Sequence, residues 1–209
     1  MPKYCPPWDQ KLARFFVRKL LPLPITPNQL TILSLLLALL GAGCLTLNDL
    51  IIANLGAGIF VFARFFDHFD GELARQKNLS SVTGYYLDYL AGGISYASLF
   101  LCLGIRFQNG YLGEWSLILG FLGATSALTC LLLNLKIDNE SQKIRRDEGE
   151  SVGYPSFLGF ELEDGIYLLA PITWLGGLEI FFYPACFGAI TYGIWTLFQL
   201  LKIRKKNRD

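Results

Sequence analysis

Six long apolar runs separated by short polar turns dominate the chain. The run from Leu30 to Leu47 is nearly uncharged and long enough to cross a bilayer, and Thr26-Pro27-Asn28 supplies its start: an N-cap threonine followed by proline at the first helical position. Asn48-Asp49 turns the chain, and Leu50 to Phe66 returns. A short polar connection over 76–83 leads into a third span, Tyr85 to Ile105, and a turn from Arg106 to Glu114 into a fourth, Trp115 to Leu135. After a polar loop from Lys136 to Tyr154, Gly159 to about Leu178 reads as a fifth span kinked at Pro171. Glu179 to Ile203, with Pro184 inside it, reads as a sixth. Ahead of these, Trp8 to Leu20 places Leu12, Phe15, Phe16 and Leu20 on one helical face and Lys11, Arg14, Arg18 and Lys19 on the rest, as in a helix lying on an anionic membrane surface or packed on the domain. Pro22 and Pro24 end it.

The predicted fold class is therefore an all-α integral membrane protein, six transmembrane helices preceded by an amphipathic juxtamembrane helix. Residues 1–25 form an N-terminal segment, 26–203 a single membrane domain, and 204–209 a basic tail. Composition agrees: 53% of the 209 residues are hydrophobic and 17% charged, too apolar in runs this long for a soluble core. The net charge of +1 gives no reason to expect a nucleic-acid partner. The five cysteines, Cys5, Cys44, Cys102, Cys130 and Cys186, lack metal-finger spacing and read as reduced, packed thiols. No apolar segment directly follows the amino-terminal residues, so a signal peptide is not expected.

Basic residues cluster on one side of the membrane. They precede the first span, join the second to the third through Arg75 and Lys77, join the fourth to the fifth, and follow the sixth; the other side holds only Arg106. The positive-inside rule then places both termini in the cytosol, in the inner membrane or an equivalent bilayer.

Against this background the stretch from Asp67 to Arg75 stands out, because charge at bilayer depth is costly and usually faces a cavity. On a helix, Asp67, Asp70, Gly71, Ala74 and Arg75 fall within an arc of about 140°. On the next helix Asp88 lies between Gly84 and Gly92 in an i, i+4, i+8 ladder. Three facing carboxylates repel unless cations lie between them, and their hard oxygens suit Mg²⁺ or Mn²⁺. With Arg75 beside them and glycines allowing close approach, this is the layout of a pyrophosphate site. The structural alternative pairs the acids with Arg64 or Arg75 simply to hold two helices together, a use that contributes little net stability and does not require small residues at these offsets. A small ion or proton transporter is a further alternative.

The pattern Asp67-x2-Asp70-Gly71-x2-Ala74-Arg75-x8-Gly84-x3-Asp88 resembles the signature of the CDP-alcohol phosphotransferases, integral membrane enzymes of phospholipid synthesis, at seven positions of fixed spacing. The resemblance implies a transferase: an alcohol attacks a phosphorus of a CDP-linked donor, CMP leaves, and a carboxylate-held metal pair neutralises charge. It implies Asp67, Asp70 and Asp88 as metal ligands, Gly71, Ala74 and Gly84 as places where the nucleotide approaches the backbone, and Arg75 as a phosphate contact. Asn28 opens the first span and would reach the nucleotide, or act only in the helix start. Partners implied are the CDP-linked donor, an alcohol acceptor, membrane lipid and a second copy of the chain.

The family pattern ends in a further aspartate, thought to be the general base, and here that position is Gly92. Three readings follow. Asp164, innermost of Glu161, Glu163 and Asp164 and next to Gly165, can substitute as the catalytic carboxylate beside Asp88, although acids at a helix start also answer to the helix dipole. His68, the one histidine, has a suitable pKa but points about 100° from Asp67. In the third reading the protein binds nucleotide or lipid without turnover.

Overall fold

The computed structural model describes residues 8–142, 156–157 and 160–206, with side chains described over 12–140 and 164–205. Each of the first membrane helices begins at a side-chain cap. Helix α2 (Pro27–Leu45) starts with a reciprocal pair in which Gln29 N donates to Thr26 Oγ1 at 3.4 Å and Thr26 N donates to Gln29 Oε1 at 2.9 Å. Helix α3 (Leu50–Lys77) is capped by Asp49, which accepts from Ile52 N at 2.9 Å, and α4 (Val82–Arg106) by Ser81, which accepts from Gly84 N at 3.0 Å. Asn78 ends α3 in the left-handed conformation, φ 55°, which asparagine tolerates. Helices α5 (Trp115–Gln142) and α7 (Leu178–Lys206) complete the long elements.

Among the described residues five helices, α2, α3, α4, α5 and α7, are long and apolar enough to cross a membrane. The stretch expected as a fifth span is built differently: a 3-10 helix, Leu162–Leu168, runs into the short helix α6 (Leu169–Trp174). It still travels the depth of the bundle. Gly165 and Ile166 line the same cavity as Asp67, whereas Trp174 Nε1 donates to the carbonyl of Asn54, near the opposite end of α3, at 3.0 Å. The 3-10 form rises about 2.0 Å per residue against 1.5 Å in an α-helix, so fewer residues cover that distance.

Two helices outlast their apolar runs. Past Phe66, α3 carries the motif in helical form, as the arc from Asp67 to Arg75 required, and ends at Lys77 inside the expected 76–83 connection, while α5 continues through the first polar residues of the expected loop to Gln142. Polar side chains hold these extensions: Lys77 Nζ donates to the carbonyls of Leu23 and Ile25 at 2.7 and 2.9 Å, and Arg204 Nε donates to Glu140 Oε1 at 2.9 Å. The rest of the loop, 143–155, lies outside the described residues. After it, Ser156–Phe157 and Phe160–Glu161 form a two-residue antiparallel pair.

Backbone contact fixes the crossing of α2 and α3. A Cβ on Gly41 would lie 2.7 Å from the amide of Phe60 and 2.8 Å from the carbonyl of Gly56, so only glycine lets the two helices touch there. Around this contact Leu45, Phe60, Leu99, Leu103, Leu169 and Phe182 form the main core. A second core, Ala13, Val17, Leu30, Phe69 and Leu73, seats α1 (Trp8–Leu20) against α2 and α3. The predicted stripe on α1 is only partly its packing face. Ala13 and Val17 are buried, while Leu12, Phe15 and Phe16 remain exposed beside Arg18 and Lys19, as a surface-lying helix requires.

Candidate functional site

Three helices converge where α2 and α4 begin and α3 nears its end. Asp67 and Asp70 on α3 are buried, and Asp88 reaches toward them from α4. Each of the three can offer a carboxylate oxygen such that all the offered atoms lie within 4.8 Å of one another. The spacing of three between Asp67 and Asp70 places both on the face that α3 turns to α2 and α4. That donor set, all carboxylate oxygen, fits a hard divalent cation such as Mg²⁺ or Mn²⁺.

Helix α2 supplies the surrounding hydroxyls. Ser34 Oγ lies 2.9 Å from Asp67 Oδ1, and the Thr31 hydroxyl contacts Asp70 Oδ2. These two residues were not singled out in the sequence, yet Asn28, Thr31 and Ser34 repeat every third residue, with only Gln29 polar between them, and that stripe is the signal that marks them. Asn28 itself stands against the start of α4, its Oδ1 3.0 Å from where a Cβ on Gly84 would be. Ser81 Oγ lies 3.1 Å from the same point, so the lack of a side chain at Gly84 is what lets Asn28 and Ser81 close in on the start of α4.

On the far side of the acids, Arg64 Nη1 donates to Asp67 Oδ2 at 3.1 Å, and its guanidinium lies 4.9 Å from the ring centroid of Tyr96. Gly92 faces this guanidinium. Arg75 points to the mouth, its Nη1 3.7 Å from a Cβ built on Gly71. Glu72, a residue the motif leaves unspecified, steadies it. Glu72 Oε2 accepts from Arg75 Nη2 at 2.9 Å, and Oε1 accepts from Gln76 Nε2 at 2.7 Å and from Arg14 Nε of α1 at 3.0 Å. Ala74 sits half-buried on the same stretch.

A cavity of about 770 Å³ opens over the cluster. Arg64, Asp67, His68, Asp70, Arg75 and Asp88 form its polar end, and apolar side chains of α4, α5 and α7 its walls. His68 lines it despite the angle read from the helical wheel, because the cavity wraps round the α3 face. Gly165 lines it as well, with half-buried Asp164 immediately before and outside the lining. The side chains of Glu161 and Glu163 lie outside the described residues. At the start of α4, Tyr85 OH donates to Asp138 Oδ2 at 2.5 Å, and Tyr89 OH donates to the same oxygen, tying the Asp88 helix to α5.

Comparison with known proteins places this arrangement. The sequence matches the CDP-alcohol phosphatidyltransferase family over residues 24–197. No curated protein matches it significantly in sequence. Among solved structures, the fold resembles that of the Mycobacterium tuberculosis phosphatidylinositol phosphate synthase with CDP-DAG bound, at a TM-score of 0.66 and 18% identity, covering 91% of this chain and 94% of that one. The same enzyme in complex with manganese and citrate gives a TM-score of 0.57 at 18% identity, covering 90% and 88%.

Proposed function

We propose that this chain, which belongs to the CDP-alcohol phosphatidyltransferase family, transfers a substituted phosphate group from a CDP-linked lipid donor to an alcohol, with release of CMP, at a divalent cation held by Asp67, Asp70 and Asp88. The observation that carries the proposal is the convergence of those three carboxylates, from two helices, at the polar end of a cavity whose other walls are apolar. An acid end suits a cation and diphosphate, and the walls suit hydrocarbon. When bound, the cation neutralises charge developing on the transferred phosphoryl group.

The chain's own residues do the rest. Asn28, Gly71, Ala74 and Gly84 border the place where the nucleotide lies, and Arg75, held by Glu72, meets a phosphate oxygen. Ser34 and Thr31 fix the carboxylates they touch. The acceptor oxygen forms the new P–O bond as the bond to CMP breaks, and the hydroxyl proton leaves to a protein base. We assign that role to one of two groups, His68, which lines the cavity, or Asp164, which adjoins the lining residue Gly165. The site opens to the cytosol, with both termini on that side of the inner membrane, as the basic residues direct. Residues 26–203 are the catalytic domain, and the chain works as a homodimer.

The test is CMP release by purified protein with Mg²⁺ or Mn²⁺ and a panel of CDP-linked lipids and alcohols. Turnover lost in Asp70→Asn establishes the site. Turnover lost in only one of His68→Gln and Asp164→Ala identifies the base. A second reading, binding of the CDP-lipid without transfer, is favoured by one feature, the absence of a carboxylate at Gly92. Donor binding with no CMP release, and transfer gained in Gly92→Asp, would establish it instead.

A further inference from the structure

We infer that the guanidinium of Arg64 stands in for a second cation, so that the acid cluster holds one divalent ion per chain rather than a pair. This extends the metal reading above and rests on it. Arg64 precedes Asp67 by one turn of α3 and is 9% exposed. Its Nη1 donates to Asp67 Oδ2 at 3.1 Å, and its guanidinium lies over Tyr96. A Cβ on Gly92 would lie 4.0 Å from both Nη1 and Nη2.

Charge and ligand supply point the same way. Asp67, Asp70 and Asp88 together carry three negative charges; Arg64 offsets one and a single divalent ion the other two. With no donor diphosphate bound, a second divalent ion would leave the cluster, two of whose three carboxylates are buried, with a net positive charge, next to a guanidinium that cannot lose its proton. It would also find few protein oxygens to anchor it beside the water and phosphate oxygens that complete such a shell. Hard cations want six or more ligands, one Asp67 oxygen already accepts from Nη1, and position 92 has no side chain to give. A carboxylate placed at 92 would not mend this while Arg64 remains, because the group nearest to it would be the guanidinium.

Mn²⁺ titration of the full chain in detergent micelles, followed by calorimetry and electron paramagnetic resonance, tests the inference without relying on turnover. Wild type is expected to take one Mn²⁺ per chain with the spectrum of an isolated ion. Gly92→Asp is expected to do the same, its new carboxylate paired with Arg64. The double variant Arg64→Gln, Gly92→Asp is expected to take two ions with an exchange-coupled spectrum. Two ions in wild type or in Gly92→Asp, or one in a folded double variant, overturns the inference; the first two proteins decide it if the double variant does not fold. Absence of Mn²⁺ binding in wild type overturns the metal reading itself, which separates the two failures.

Discussion

Arg14 of the surface helix donates from Nε to Glu72 Oε1 at 3.0 Å, and the other oxygen of Glu72 accepts from Arg75 at the mouth of the site. One buried carboxylate thus joins α1 to the residue expected to meet phosphate. Arg14 and Arg75 are half-exposed while Glu72 is not, so the partners are unequal. Arg14→Ala removes one screened pair and is expected to cost less than about 1 kcal/mol. Glu72→Ala removes the hub of four hydrogen bonds and is expected to cost about 1–3 kcal/mol and to weaken donor binding. Thermal unfolding in detergent and a donor titration measure the two effects.

The hydroxyls of α2 act on the cation only through the carboxylates they touch. Ser34→Ala and Thr31→Val are expected to lower Mn²⁺ affinity by about 10–100-fold while leaving the melting temperature within a few degrees of wild type. A direct replacement, Asp70→Asn, is expected to reduce CMP release by at least about 10²-fold. Calorimetric titration beside a CMP assay ranks the three variants.

Removing the ion is the simplest intervention. EDTA is expected to stop CMP release, and excess Mg²⁺ or Mn²⁺ to restore it without refolding, because the helices are capped and packed independently of the cluster. Circular dichroism before and after chelation should superimpose.

Two glycines two positions apart on α2 make opposite demands. Gly41→Val drives side-chain atoms into the backbone of α3 and is expected to destabilise by about 1–3 kcal/mol or more. A Cβ on Gly43 meets nothing within 4 Å, so Gly43→Ala is expected to be neutral or to stabilise by about 0.5–1 kcal/mol. Paired melting curves check both.

Much of this was legible in the sequence, for identifiable reasons. Thr26 and Pro27 announced α2, and Asp67, Asp70 and Asp88 announced the cluster, because caps and intramembrane charge are local signals. The ends of α3 and α5 were not legible from hydropathy, which stops where the lipid stops. Lys77 and Glu140 carry those helices on by contacts to partners distant in sequence. The 3-10 path through Leu162–Leu168 leaves no period-3.6 signature to find. Arg64 was visible as a charge, but its place opposite Gly92 depends on how α3 and α4 cross.

The walls of the cavity follow α7 from Ile180 to Tyr192, a rise of about 18 Å along the helix. A substrate's tail seated there would stay within the leaflet while its head is handled at the acids. For the proposed reaction, loading and unloading then become sideways exchanges between neighbouring lipids. The rate would answer to how crowded the donor is in two dimensions, not to its concentration in the surrounding water.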